Sequence, residues 1–209
     1  MGTESSFTKE FKELKTVVIR FAGDSGDGMQ TIGERFTDSS AAFGNDLATF
    51  PDFPAEIRAP TGTIPGVSAF QIQIGSTEIL TPGDAPDALV AMNPAALAVN
   101  LTDLTEGGIL IVNSAAFTPE NLRMAGYESN PLEDQTLMNK YELVSVNITH
   151  FTQESLANTE LTAKEKLRSK NFFALGFVYW IYSRPIDTTI DFIRSKWSRR
   201  FPALAEANI

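Results

Sequence analysis

The chain contains no cysteine, which removes disulfides, thiolate nucleophiles and iron–sulfur ligation from its own chemistry. It has a single histidine, His150, and no Asp/Glu cluster with ligand spacing, so no metal site and no role for His150 are expected. Basic runs are also missing: formal net charge is −9 over 209 residues, which argues against nucleic acid as a partner. No apolar stretch reaches the ~20 residues of a membrane span, and Phe172 to Tyr182 is about half that length. The N-terminus, Met1 to Lys15, is polar and carries both charge signs, so it reads as a short arm rather than a signal peptide. A soluble chain is expected, with the cytoplasm as the default compartment. No Ser–His–Asp order stands out, so no catalytic residue is assigned.

What the chain does have is a β-branched run, Thr16-Val17-Val18-Ile19-Arg20-Phe21-Ala22, feeding into a turn with Gly23, Gly26 and Gly28. Met29-Gln30-Thr31-Ile32-Gly33-Glu34-Arg35-Phe36 then reads as the first turns of a helix that ends near 43 at Gly44-Asn45-Asp46. Strand, glycine loop and helix is how an α/β protein offers free backbone N–H groups to a phosphate. The spacing is G-x-x-G-x-G, not the G-x-G-x-x-G of dinucleotide folds, and the acid that would hold a ribose is poorly placed. A nicotinamide enzyme is therefore disfavoured. Phosphate binding and a plain structural turn both remain open for the loop, with Asp24 and Asp27 as potential repulsive neighbours.

Strand and helix patterns alternate through the first two-thirds, predicting a three-layer, mostly parallel Rossmann-like α/β sheet with helices on both faces. Further strands are expected at Leu47–Phe50, Val67–Gly75 (half-buried, with Phe70 shifting the phase), Ala88–Met92, Ile109–Asn113 and Tyr141–Val146. Between the second and third lies a stretch from Pro51 to Gly66 with four prolines and two glycines, which cannot be helical. Asn93-Pro94 opens a helix over 95–105. The segment 115–140 reads as irregular, and 152–157 as a short helix. Lys164 to Tyr182 reads as one long helix whose aromatic row from Phe172 to Trp180 belongs to the core. Asp187 is placed to cap a last helix with Ile190, Ile193 and Trp197 on one side.

Ligands of open α/β sheets bind beyond the carboxyl ends of strands, where the Gly23–Gly28 loop, Asn93 and the Asn113-Ser114 pair fall. For Asn93, a helix cap is the favoured role. Arg58, in the proline-rich stretch, suits a carboxylate, a phosphate or a neighbouring domain.

Four separated segments also carry a family likeness. Phe21-Ala22-Gly23-Asp24-Ser25-Gly26-Asp27-Gly28-Met29-Gln30 resembles the opening of the gamma-type domain of 2-oxoacid:ferredoxin oxidoreductases. So do Phe53 to Gly62, Asp87 to Pro94, and Arg168-Ser169-Lys170-Asn171-Phe172-Phe173-Ala174-Leu175-Gly176. Within that family the likeness is to the N-terminal part of the alpha subunit of the 2-oxoglutarate enzymes, and it runs from about Thr16 to Asn208.

The resemblance implies an arm over 1–15 and one gamma-type domain over 16–209. It implies a multisubunit enzyme that converts a 2-oxoacid and coenzyme A into acyl-CoA and CO2, with electrons passing to ferredoxin. Thiamine diphosphate, magnesium and iron–sulfur clusters are then expected in partner domains, this module being inactive alone. Gly23, Gly26, Asp27, Gly28, Met29 and Gln30 would face coenzyme A or the neighbouring domain. Ser25 in the same loop, and Asn113 and Ser114 beyond the end of their strand, are candidate cofactor contacts beside them. Arg58 would lie at the domain interface. Pyruvate-specific relatives carry a lysine near the start of the following helix, where Glu34 stands here. A purely structural domain that positions the thiamine-binding ones is the alternative.

Overall fold

A computed structural model of the protein describes residues 12–25, 28–54 and 66–209. Six strands form one sheet: β1 (Thr16–Asp24), β2 (Asp46–Asp52), β3 (Val67–Gly75), β4 (Ala88–Ala91), β5 (Ile109–Asn113) and β6 (Glu142–Val146). Their order is β2-β3-β1-β4-β5-β6. The β1, β4, β5 and β6 strands are parallel, with Phe21 beside Val90 and Val90 beside Ile111. This block is the parallel sheet that the alternating pattern predicts.

The exception is β3, which runs antiparallel to both β1 and β2. A parallel neighbour needs a crossover, usually a helix, and the proline-rich link between β2 and β3 cannot supply one. Nor is β3 half-buried: only two of its nine residues, Val67 and Gln73, escape full burial. Its alternation is strict, with Phe70, Ile72 and Ile74 on one face and Ala69 on the other. The phase shift at Phe70 arises because both faces are buried, and Gln71, on the face of Ala69, is a polar residue kept inside by a fully engaged side chain. Its Nε2 donates to Pro82 O (3.0 Å) and Gly83 O (2.6 Å), and its Oε1 accepts from Arg20 Nε at 2.8 Å.

One face is covered by α1 (Met29–Ala42), α5 (Ile148–Ser155) and α7 (Lys170–Ile181). Met29, Ile32 and Phe36 recur at helical spacing on α1 and meet Phe21 and Phe70 in that core. The other face is covered by α2 (Pro94–Asn100), α3 (Pro119–Met124) and α4 (Gln135–Lys140). The segment expected to be irregular thus holds two short helices. Each is opened by a polar side chain, Thr118 or Asp134, and each buries one leucine, Leu122 or Leu137.

The expected single helix over 164–182 is two: α6 (Ala163–Arg168) and α7, parting at Ser169. The Ser169 hydroxyl reaches back to Glu165 O at 3.4 Å and its amide to Lys166 O, a tightening that turns the helix. Trp180 is 60 % exposed, so it lies outside the core that the aromatic row was expected to form. α8 (Asp187–Trp197) begins at Asp187 without a side-chain cap, and a further helix, α9 (Pro202–Ala207), follows it.

Polar contacts fasten α7 and α8 to α1. Tyr179 Oη donates to Arg35 O at 2.8 Å and lies 2.7 Å from Thr189 Oγ1, while Ser39 Oγ donates to Pro185 O at 2.6 Å. Burial pushes the Tyr179 phenol up to about 12, so it stays neutral. Among the described residues no helix is long and apolar enough to cross a membrane.

Candidate functional site

β1 ends at Asp24, and α1 begins five residues later with Gly28 as its N-cap. Gly28 has φ +85°, a left-handed conformation that a side chain would strain. No side chain caps α1, and its first-turn amides, Met29 to Thr31, have no intrahelical acceptor; Ile32 N is the first to bond, to Gly28 O at 3.1 Å. The Ser25 amide, by contrast, is taken by Gly66 O at 2.9 Å. Among the described residues, the amides without an intrahelical acceptor at this corner are those of the helix start.

The side chains near the loop divide by role. Met29 is 1 % exposed and packs against Gly23, so it shapes the loop from inside the core. Gln30 Nε2 donates to Ser68 Oγ (2.9 Å), Ala69 O (2.8 Å) and Asp52 O (3.2 Å), tying α1 to β3 and β2. Asn93 caps α2 through Ala96 N, as expected, and its Nδ2 donates to Asp24 Oδ1 at 2.6 Å. That bond directs the Asp24 carboxylate toward the end of β4.

Asn113 is 1 % exposed and exchanges hydrogen bonds with Thr149, donating to its Oγ1 and accepting from its amide. It joins β5 to α5. Ser114, half-buried, starts the 3-10 turn Ser114–Ala116. Gly26, Asp27 and Arg58 lie outside the described residues.

Beside Gly28 opens a cavity of about 570 Å³. Ser25, Gly28 and Thr31 form one wall; Lys164, Arg168 and Lys170, from α6 and the start of α7, form the opposite one. Phe172 and Trp197 complete it. Three basic residues line this cavity beside the uncapped helix start, in a chain whose net charge is −9.

The acid within this wall, Glu165, is held back by the capping box that opens α6. Its carboxylate accepts from Thr162 Oγ1 (2.6 Å) and Thr162 N (2.9 Å), bonds that lower its pKa from the ordinary glutamate value. Backbone donors, a hydroxyl and basic side chains around one cavity are the donor set for a phosphate-bearing ligand. Sequence spacing missed Lys164, Arg168 and Lys170. The usable signal was a cluster of basic residues at 164–170 in an otherwise acidic chain.

A second cavity, of about 400 Å³, lies between α1 and β2 and includes Glu34, Arg35, Asp38 and Phe53. Arg35 is already paired there, at 2.9 Å from Asp38 and 3.5 Å from Glu34. Glu34 thus faces away from the cationic cavity. His150 sits on the surface, 3.7 Å from Glu154.

Comparison with known proteins gives a consistent family. The family described as pyruvate ferredoxin/flavodoxin oxidoreductase matches residues 18–209. The chain is 54 % identical over 198 residues to the 2-oxoglutarate oxidoreductase subunit KorA of Mycobacterium tuberculosis, covering 95 % of this chain and 30 % of that one. It is 30 % identical over 120 residues to the ketoisovalerate oxidoreductase subunit VorA of Methanothermobacter marburgensis, covering 56 % and 23 %. The chain therefore spans under a third of the length of these curated relatives.

Among the solved structures that share the fold are two oxidoreductases. One is the 2-oxoglutarate:ferredoxin oxidoreductase from Magnetococcus marinus with 2-oxoglutarate, coenzyme A and succinyl-CoA bound (TM-score 0.70, 21 % identity, 94 % of this chain and 29 % of that one). The other is the keto/oxoacid ferredoxin oxidoreductase gamma subunit from Geobacter sulfurreducens (TM-score 0.60, 19 % identity, 92 % and 94 %).

Proposed function

This chain belongs to the pyruvate ferredoxin/flavodoxin oxidoreductase family, and from that premise we propose that it is the coenzyme-A-side domain of a 2-oxoglutarate:ferredoxin oxidoreductase. Residues 16–209 act as one gamma-type unit within a larger assembly. Other domains of that assembly supply thiamine diphosphate, magnesium and iron–sulfur clusters. Iron–sulfur ligation by cysteine has to come from elsewhere, since this chain has none.

The observation that carries the proposal is the cavity at the start of α1, where Lys164, Arg168 and Lys170 face Gly28 and Thr31. Coenzyme A carries its negative charge on phosphates at one end and its reactive thiol at the other. Arg168 offers a planar fork suited to two phosphate oxygens, and Lys164 offers a mobile point charge. The first-turn amides of α1 add fixed donors that need no reorganisation. Holding the phosphates here leaves the thiol free to reach the acyl group formed on a neighbouring domain, so this chain contributes binding and orientation rather than bond-making.

Arg168 is exposed, so its contribution falls at the lower end of a charge-assisted hydrogen bond, roughly tenfold in affinity. In the assembled enzyme, Arg168→Gln should raise the KM for coenzyme A about tenfold, with kcat within about twofold of the parent. An unchanged KM in an intact assembly would remove the cavity from the substrate path. Loss of assembly without a KM effect would favour a domain that only positions its neighbours.

A further inference from the structure

We propose that Trp197 and Phe172 form the adenine-receiving wall of the cationic cavity, making the site selective for nucleotide-bearing anions over simple polyphosphates. This rests on the anion-binding role proposed above and goes beyond it by assigning the base a place.

Phe172 stands in the first turn of α7 and Trp197 ends α8. Their rings meet edge to face, with centroids 5.3 Å apart and planes at 75°. Both are partly exposed where they line the cavity, rather than sealed in the core. A site for phosphate alone has no use for an indole and a phenyl ring, because apolar surface beside cations only displaces their hydration. A purine has two π-faces and an apolar body, and it stacks on aromatic side chains whatever its hydrogen-bonding edge.

The wall is also braced. Trp197 contacts Phe192 edge to face at 6.3 Å, and the Arg35 guanidinium lies 3.8 Å over the Phe192 ring. Arg35 is in turn paired with Asp38 at 2.9 Å. The indole is therefore held from behind by packed groups, and a rigid stacking platform loses little freedom when a base settles on it. A volume of about 570 Å³ lies within the usual range for small-ligand sites, leaving space for a base and its adjoining phosphates.

Competition against coenzyme A in the assembled enzyme tests this, with ADP and inorganic diphosphate as the two probes. Trp197→Leu should weaken inhibition by ADP on the order of tenfold while moving inhibition by diphosphate less than about twofold. Trp197→Phe, which keeps a π-face, should recover most of the ADP effect. Equal weakening of both probes, or no change in either, would overturn the adenine wall. Arg168→Gln separates the two layers. If it weakens both probes while Trp197→Leu weakens neither, the anion site stands and the stacking role fails. If Arg168→Gln also leaves both probes unchanged, the anion site fails and the adenine wall with it.

Discussion

Gly33→Ala is expected to cost the fold roughly 1–3 kcal/mol, the scale of forcing an extra methyl group into a packed interface. Intrinsic preference points the other way, since alanine in a helix interior is favoured over glycine by about 1 kcal/mol. The sign is decided by packing. A Cβ on Gly33 would lie 2.3 Å from Phe70 Cδ1 and Cγ and 2.8 Å from Phe70 Cβ. Phe70 is 4 % exposed and belongs to the core that also holds Phe21, Ile32 and Phe36; its ring borders the cavity between α1 and β2, but its Cβ is fixed to the β3 backbone, so turning the ring leaves that contact in place.

Either α1 must lift from the sheet or β3 must deform. Urea denaturation should show a clearly lowered midpoint, and Gly33→Ala should cost less in a Phe70→Ala background, where Cγ and Cδ1 are gone, than in the parent. A neutral or stabilised Gly33→Ala variant would mean that α1 does not lie this close to β3. The site depends on the same contact, because lifting α1 moves Gly28 and Thr31 away from the basic wall.

The largest functional effect is expected from reversing that wall. Lys164→Glu/Arg168→Glu changes the local charge by four units at positions that are exposed, so the fold should tolerate it to within about 0.5 kcal/mol. At the cavity, two attractive interactions with phosphate become two repulsive ones, and like-charge juxtaposition costs several kcal/mol. The KM for coenzyme A in the assembled enzyme should rise at least about a hundredfold, the scale set by removing two charge-assisted hydrogen bonds. The parent KM should climb with ionic strength and the variant's should not, since salt screens the attraction in one and the repulsion in the other. A variant with the parent's KM and salt response would place coenzyme A elsewhere.

Much of this was legible locally. Ile109–Asn113 reads as a strand to the residue because a short continuous apolar run, Ile109 to Val112, lies between Gly107-Gly108 and a turn. The Asn93-Pro94 helix start is equally local, set by a side-chain cap and proline's fixed φ, and α1 begins at a glycine whose positive φ a side chain would strain. The direction of β3 was not, because an alternating strand reads the same in either direction and only its pairing fixes it.

Gln71 is polar, yet three hydrogen bonds keep it inside. Ser169 divides a helical pattern through a side-chain contact that propensity does not encode. The basic wall of the site was hidden for a different reason. Lys164 and Arg168 lie more than a hundred residues from Gly28, and folding α6 and α7 beside α1 is what brings them to it. The glycine loop left phosphate binding and a structural turn both open, while the basic side chains beside it came from the far end of the chain.

Site-resolved amide hydrogen exchange on the assembled enzyme, with and without coenzyme A, tests the central claim most directly. The amides of Met29, Gln30 and Thr31 have no intrahelical acceptor and should exchange rapidly in the free enzyme. Saturating coenzyme A should slow them at least about tenfold, together with amides of 164–172 on the facing wall. Protection confined to other parts of the enzyme, with 28–32 and 164–172 unchanged, would contradict the assignment of this cavity to the carrier.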